Sequence, residues 1–179
     1  MGNIENLKRG EVQFTSAGTG IRHSEYNRNR DSEVHFLQIW AKPNKSGLKP
    51  HYETKKFTDE EKTDSLVRIM EYTDRLGDNK HAIGLQADLS MDASILSPGK
   101  KVTHDLVAEG PRKLFAQVIM SKRAQPKEGG AKIKIGETIL GEGDSAWIDG
   151  VSGPGKVDVE SVGDKPAEFL LFDMGPENA

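Results

Sequence analysis

The segment Ile21–Asn27 carries the residues of this sequence that are best suited to chemistry. If the segment is a strand, alternate side chains share a face, so His23 and Glu25 point one way while Arg22 and Tyr26 point the other. An imidazole nitrogen and a carboxylate can then converge on one first-row divalent metal ion, Fe(II) being one candidate, if a neighbouring strand supplies further ligands. We therefore predict His23 and Glu25 as metal ligands, and no catalytic residue beyond them.

A structural interpretation of the same pair stays open. His23 could be a hydrogen-bonded histidine of a barrel, and Glu25 could pair with Arg22 or Arg28 at its rim. The other histidines stand alone in the sequence, which contains no His-X-His motif. We predict structural or exposed positions for His35 and His51, and His81 and His104 are likewise isolated. His104 in particular is expected to have no partner at ligand spacing.

Composition excludes several classes of function. The chain has 179 residues, no cysteine and a net charge of −3. Without cysteine there are no disulfides, thiolate metal sites or cysteine nucleophiles, and the small net charge offers no strong field for nucleic acid or an anionic membrane. The longest apolar runs, such as Phe169–Phe172, are too short to span a bilayer. With no apolar signal region at the N-terminus, we predict a soluble, cytoplasmic protein, or a nuclear one in a eukaryote.

Strands are predicted throughout, and they must position the pair. Residues 11–17 alternate, with Val12 and Phe14 on one face, and residues 34–40 are apolar on both faces, as in a strand between two layers. Ala17–Gly20 predicts a sharp turn. From about residue 80, short segments bounded by turn residues recur regularly, which indicates a sandwich or barrel. The candidate strands are 81–87, 91–96, 101–107, 113–121, 131–139, 144–148, 156–162 and 167–173.

Three other segments give local signals. Pro43–Pro50 is predicted to be a connection, and Thr58–Glu61 resembles a capping box that would start one short helix. Leu66–Met70 fits either a continuation of that helix or a strand. In the hairpin predicted at Ala131–Ile139, the three isoleucines are expected to share the core face while the lysines between them face water.

Three stretches together closely resemble the pirin family, in particular its bacterial members described as quercetin 2,3-dioxygenases. They are Gly10–Asn27, Val34–Trp40 and Lys49–Glu53. Within the first, the string Ser-Ala-Gly-Thr-Gly-Ile-Arg-His-Ser-Glu is similar to the second metal motif of that family. The hairpin Ala131–Ile139 and the Gly143–Trp147 segment after it resemble the second half of a cupin jelly roll.

The resemblance implies a fold and a site. Pirins contain two cupin (RmlC-like jelly-roll) barrels, so we expect an all-β double barrel with a partial N-terminal barrel at 1–45, a crossover at 46–75 and a C-terminal barrel at 76–179. The family's N-terminal barrel holds iron, or another divalent metal, through three histidines and a glutamate, and His23 and Glu25 match the last two. The first two belong to an upstream His-Pro-His motif, for which this chain as given has no room. The family's C-terminal barrel generally lacks a metal site.

Three functional hypotheses follow from the resemblance. The first is a metal-dependent dioxygenase acting on flavonol-like small molecules, impaired because two ligand histidines are missing. The second is a non-enzymatic binding or regulatory protein, similar to pirins that act as cofactors of transcription factors. The third is an incomplete gene product whose upstream coding sequence would supply the His-Pro-His motif. In each case the strands predicted at 11–17, 21–27 and 34–42 are expected to pack onto the C-terminal barrel, a second copy of the chain, or both.

Overall fold

Two β-sheets and a hairpin make up most of the structure, a computed structural model that describes residues 4–121 and 129–176. The predicted domains 1–45 and 76–179 also include residues 1–3, 122–128 and 177–179, which lie outside the described residues. Within the described ranges both helices, α1 (Asp59–Lys62) and α2 (Thr73–Leu76), are four residues long, and neither could span a bilayer. The strands are β1 (Glu11–Ser16), β2 (His51–Lys56), β3 (Val67–Tyr72), β4 (Ile83–Leu85), β5 (Leu89–Leu96), β6 (Lys101–Asp105), β7 (Gly110–Val118), β8 (Lys132–Ile135), β9 (Thr138–Gly141), β10 (Ser145–Gly153), β11 (Lys156–Ser161) and β12 (Ala167–Met174).

The strands from β3 onward form a jelly roll of two facing sheets. The larger sheet has the order β10-β7-β12-β5-β3-β4, and the smaller has the order β6-β11-β8-β9. Neighbouring strands are antiparallel except for β3 and β4, which are parallel. Buried apolar side chains of both sheets, including Leu114, Ile133 and Phe169, form one cluster between them. The predicted all-β cupin fold is confirmed, and an incomplete N-terminal barrel stays a prediction.

Side-chain alternation places the core residues of the smaller sheet. As predicted, β8 buries Ile133 and Ile135. The prediction for Ile139 is wrong, because this side chain is 57% exposed. Ile139 pairs with Lys134 on the neighbouring strand, and directly opposed residues share one face of a sheet. The core position on β9 therefore falls to Leu140, which is buried.

The N-terminal strand packs on the outer face of the larger sheet. As predicted, residues 11–16 form a strand, and it pairs in antiparallel fashion with β2. Val12 and Phe14 pack against a second buried cluster that includes Phe57, Ile69 and Phe172. The hairpin of β1 and β2 is therefore held to the barrel by apolar contacts, which is one of the two arrangements expected from the sequence.

The strands predicted at 21–27 and 34–42 are wrong. Residues 17–50, which join β1 to β2, contain no strand. A β-strand needs a neighbour to satisfy its backbone donors and acceptors, and the hairpin partner of β1 is instead β2. The side-chain pattern therefore predicted a strand correctly at residues 11–16, where the chain brings such a neighbour, and wrongly at residues 34–40.

The segment between β1 and β2 follows an extended, irregular path over the surface. It opens with the predicted turn, in which Gly20 N–H donates to Ala17 O at 2.8 Å. Further on, Asn44 N–H donates to Gln86 O at 2.7 Å, which ties the segment to the barrel. Between these points the large apolar side chains are exposed: Tyr26, Val34, Phe36, Leu37, Ile39 and Trp40.

The predicted crossover at 46–75 contains regular structure. Thr58 caps α1 through the predicted capping box, since its hydroxyl accepts from Glu61 N–H at 3.2 Å while the Glu61 carboxylate accepts from Thr58 N–H at 2.7 Å. The alternative between helix and strand at Leu66–Met70 is resolved in favour of a strand, because β3 joins the larger sheet beside β5. The domain boundaries themselves stay a prediction.

Candidate functional site

The His23–Glu25 pair lies in the irregular segment that joins β1 to β2. The distance between His23 Nε2 and Glu25 Oε1 is 3.9 Å, and about half of each side chain is exposed. Because the segment is not a strand, the strand alternation that predicted their convergence is absent, although the two donor atoms do lie near one another. At this distance they do not share a hydrogen bond. Their role as metal ligands stays a prediction.

Two donors are half of a metal site. Across residues 4–121 and 129–176, no three His, Asp or Glu side chains are grouped so that they could hold a metal ion. His35 and His51, predicted to be structural or exposed, are exposed, and so is His81. Each ligand of an iron-type site normally relies on the others to fix its geometry. The pair by itself therefore does not fit a complete metal centre.

The sequence offers His104 no partner at ligand spacing, but the fold gives it two carboxylate partners. Its side chain is 2% exposed inside the barrel, where Nδ1 lies 3.0 Å from Asp92 Oδ2 and Nε2 lies 2.8 Å from Asp173 Oδ2. These carboxylates come from β5 and β12, which are 12 and 69 residues away along the chain, whereas sequence spacing tests near neighbours only. The signal that could have found this histidine is the alternation of β6, which buries Val102 and His104 together.

A chain of ion pairs leads away from His104 on one side. Asp173 Oδ1 accepts from Arg112 Nε at 2.7 Å, and Asp173 Oδ2 also accepts from Val107 N–H at 3.0 Å. Arg112 donates through Nη1 to Asp88 at 2.8 Å. Because Arg112 and Asp173 are buried, an unpaired charge at either position would be costly.

The series of ion pairs continues through side chains of α2 and β3 and ends again at Asp92. Arg75 pairs with Asp88 and, at 3.0 Å, with Glu71. Arg68 pairs with both Glu71 and Asp92. The path therefore closes on itself, with acidic and basic groups in strict alternation. We call it the ion-pair ring, and its members in order are Asp92, His104, Asp173, Arg112, Asp88, Arg75, Glu71 and Arg68.

The ring fixes the charge of its histidine. Burial alone would lower the pKa of His104, but hydrogen bonds and charges from Asp173 and Asp92 outweigh burial and raise that pKa from 6.5 to about 9. Burial would likewise raise the pKa of Asp92 and of Asp173, yet hydrogen bonds, first of all with His104, hold both pKa values below their usual range. At neutral pH the ring thus balances its carboxylates with an equal number of cations. Both nitrogens of an imidazolium are donors, so His104 has no lone pair to offer a metal.

An apolar groove runs between residues 38–42 and the outer face of the larger sheet. Its volume is about 450 Å³. The ring centroids of Phe115 and Trp147 are 4.9 Å apart on its floor, close to the exposed Trp40. The barrel side of the groove is formed by Leu89, Phe115, Trp147, Phe172 and Met174. The other side of the groove is formed by residues 38–42, which include the exposed side chains of Ile39 and Trp40.

Comparison with known proteins gives these features a family context. A family model described as Pirin matches residues 1–41. The chain is 30% identical over 176 residues to a quercetin 2,3-dioxygenase of Escherichia coli O157:H7, a match that covers 98% of this chain and 66% of that relative. It is 32% identical over 148 residues to a putative quercetin 2,3-dioxygenase of Zymomonas mobilis, covering 83% of this chain and 56% of that relative.

Solved structures agree with the sequence matches. The crystal structure of YhhW from Escherichia coli, at 27% identity, superposes with a TM-score of 0.78 over 100% of this chain and 66% of its own. The same bacterial pirin in complex with nickel(II) gives a TM-score of 0.77 over 98% and 66%. This chain therefore spans 66% of the length of these relatives, just under two thirds. The matching family model, the identity along nearly the whole chain and the shared fold together show that the chain belongs to the pirin family.

Proposed function

We propose that this chain is a pirin-type metal-binding protein in which His23 and Glu25 are two ligands of a divalent metal ion. The observation that carries the proposal is an imidazole nitrogen and a carboxylate oxygen 3.9 Å apart within the segment that the pirin family model matches. A related pirin was crystallised with nickel(II), which supports a divalent metal. Fe(II) is one candidate for the ion bound in the cell.

The proposed activity is the oxidation of a flavonol-like small molecule, as in relatives named quercetin 2,3-dioxygenase. When bound, the metal would act as a Lewis acid that polarises a hydroxyl group of such a molecule. The described residues bring no third ligand to the pair, so no catalytic step is assigned to side chains of this stretch alone. We expect activity only where further ligands, from additional chain or from a second copy, complete the site.

Replacing His23 by alanine is expected to weaken the binding of Ni(II) or Fe(II) at least about tenfold, because a lost ligand removes both affinity and the geometry of its neighbour. Glu25→Gln should act in the same direction by removing the carboxylate charge. Titration calorimetry on the purified chain measures the affinity. The matched control is His35→Ala, which removes an exposed histidine from the same irregular segment. Equal affinities for His23→Ala and His35→Ala would contradict the assignment.

A second candidate function is protein binding without catalysis, and the exposed apolar segment favours it. Phe36 and Trp40 are 60% and 88% exposed, next to the aromatic groove. Several large apolar side chains exposed close together in the sequence, as here, favour an interaction site. A regulatory role of the pirin type, such as engaging a transcription factor, would use a surface like this one and would need neither nucleic acid nor a membrane as partner.

We also propose that a second copy of the chain covers this surface, since residues 34–40 are extended and apolar yet pair with no strand among the described residues. Size-exclusion chromatography with light scattering is expected to give a dimer. The double change of Phe36→Ser and Trp40→Ser should shift it towards monomer. Ile139→Ser, at an exposed position on the barrel, is the control and should leave the dimer intact. A monomer at every concentration tested would exclude the second copy.

A further inference from the structure

We propose that a cleft in the side of the jelly roll, between β11 and the β8–β9 hairpin, binds a small, uncharged aromatic molecule. The volume of the cleft is about 920 Å³. Its lining residues belong to β6 and to the stretch from β8 to β11, and none lies in the irregular segment 17–50. The cleft is therefore separate from the His23–Glu25 pair, and binding there does not depend on a metal ion.

The cleft opens where the smaller sheet splits. Along one edge, β11 pairs with β6 over residues 156–160. Along the other edge it pairs with β8 only at Glu160 and Ser161, while β8 stays paired with β9 as far as Ile135. The two strands therefore part beyond Glu160. The backbone groups of residues 156–159 that point into the opening have no strand partner, so they can form hydrogen bonds to a ligand.

The edge strand of the larger sheet is irregular at the same cleft. β10 is that edge strand, and its pairing with β7 shifts register between Ile148 and Val151. Ile148 and Asp149 both line the cleft. A bulge of this kind bends a strand and redirects its side chains, and bulges are frequent at barrel rims and next to active sites. Strands of both sheets thus depart from regular geometry around one opening.

The floor of the cleft is apolar and belongs to the core of the jelly roll. Ile135 and Leu140 are members of the buried cluster between the sheets, and three partly buried side chains that also line the cleft pack against that cluster: Ala146, Ile148 and Val157. Covering such side chains with an apolar ligand removes them from water, which is favourable. Small-molecule sites are mostly apolar and have volumes of roughly 300–1,000 Å³, a range that includes this cleft.

The charges at the rim favour an uncharged ligand. Lys101 pairs with Asp158 at 3.0 Å, and Lys156 pairs with Asp105 at 2.6 Å, so both lysines already have counter-charges. Asp149 has no cationic partner within residues 4–121 and 129–176. Its carboxylate would repel an anion but can accept a hydrogen bond from an N–H or O–H group. A cationic ligand would have to bring its charge out of water and over an apolar floor, which is costly.

Trp147 supplies an aromatic surface at the same rim. Its side chain is 55% exposed and also lines the apolar groove on the outer face of the larger sheet. An exposed indole can stack on a planar ring. The ligand that fits the floor and the rim is therefore an uncharged aromatic molecule with an N–H or O–H donor.

Binding of phenylnaphthylamine to the purified chain, followed by the rise in probe fluorescence, tests the site. This probe is an uncharged aromatic amine, and anilinonaphthalenesulfonate is its analogue with an added sulfonate group. We expect the uncharged probe to bind at least about tenfold more tightly than the sulfonate. Asp149→Asn should narrow that ratio by strengthening the binding of the sulfonate, because it removes the repelling charge. Tighter binding of the sulfonate to the unaltered chain, or a ratio that Asp149→Asn leaves unchanged, would overturn the proposal.

Filling the cleft shows where the probe binds. Thr138→Phe places a phenyl ring at an exposed lining position and should weaken binding of the uncharged probe at least about tenfold. If that variant does not fold, Ala146→Phe fills the cleft from β10. Trp40→Ala is the control, because Trp40 lines the apolar groove but not the cleft, and it should leave the affinity unchanged.

Two outcomes would contradict the small-molecule site. Loss of probe binding in Trp40→Ala but not in Thr138→Phe would place the probe in the apolar groove. A change of oligomeric state in Thr138→Phe, measured by light scattering, would mean that a second copy of the chain occupies the cleft.

Discussion

Replacing Asp173 by asparagine is expected to lower the free energy of unfolding by about 3–5 kcal/mol at neutral pH. The carboxylate of Asp173 is fully buried and accepts hydrogen bonds from His104, Arg112 and the N–H of Val107. Asparagine has nearly the same size but no charge, so the ring would be left with one positive charge in excess where water does not reach. Urea unfolding followed by circular dichroism measures the loss.

The control for this change is Asp158→Asn on the barrel surface. Asp158 pairs with Lys101 at 3.0 Å and with Thr103 at 2.6 Å, but solvent screens these contacts, so the unfolding midpoint should hardly move. Raising the pH to about 9 should narrow the difference in stability between Asp173→Asn and the unaltered chain, because the unaltered chain then loses the stabilisation that protonated His104, with a pKa raised to about 9, supplies at lower pH. Equal losses of unfolding free energy for Asp173→Asn and Asp158→Asn would mean that burial does not increase the contribution of the ring's ion pairs to stability.

The C-terminal barrel could be predicted from the sequence because each of its strands carries its own signals. The segments predicted at 101–107 and 167–173 appear as β6 and β12, each bounded by turn residues that interrupt the pairing. Ile139 shows the limit of this reasoning, because its side chain lies on the same face of the sheet as that of the lysine opposite it on β8. Alternation within one strand is visible in the sequence, whereas the change of face across a hairpin depends on the turn.

The N-terminal region could be predicted less well because strand formation there depends on a partner that local sequence does not reveal. Residues 11–16 pair with β2, which lies within the stretch predicted to be a crossover. Residues 21–27 and 34–40 have equally suitable side chains but form no strand. Their irregular path still brings His23 and Glu25 near each other. The pair was therefore predicted from a sequence motif and from the resemblance to a family, although the predicted secondary structure was wrong.

The ion-pair ring could not be predicted from spacing because its members come together only in the folded barrel. Arg68 and Glu71 are near neighbours, but Asp173 is separated from His104 by 69 residues and from Arg112 by 61 residues. In the sequence each of these residues resembles an ordinary charge on a solvated face. Burial, which follows from the alternation of β5, β6, β7 and β12, is what converts them into a network.

Phe169→Ala is also expected to have a large effect and to lower the free energy of unfolding by about 3–5 kcal/mol. Phe169 has no exposed surface near the start of β12, and its cross-strand neighbours are Ser94 on β5 and Val118 on β7. The small serine leaves room for the phenyl ring, so truncation would open a cavity. Because β12 is hydrogen-bonded to β7 on one side and β5 on the other, the residues around the cavity could move in only partly. The packing contacts of the phenyl ring would therefore not be recovered.

Ile139→Ala is the matched control, because it removes a large apolar side chain from an exposed position on the same barrel and should change stability by no more than about 0.5 kcal/mol.

Phe169 and Asp173 lie on the same inward-facing row of β12, with Leu171 between them. Four residues along a strand separate two side chains by roughly 13 Å, so the double variant should lose the sum of the single effects within about 0.5 kcal/mol. A larger deviation would mean that the apolar core and the ion-pair ring fold as one coupled unit, and that truncating the core also shifts the titration of His104.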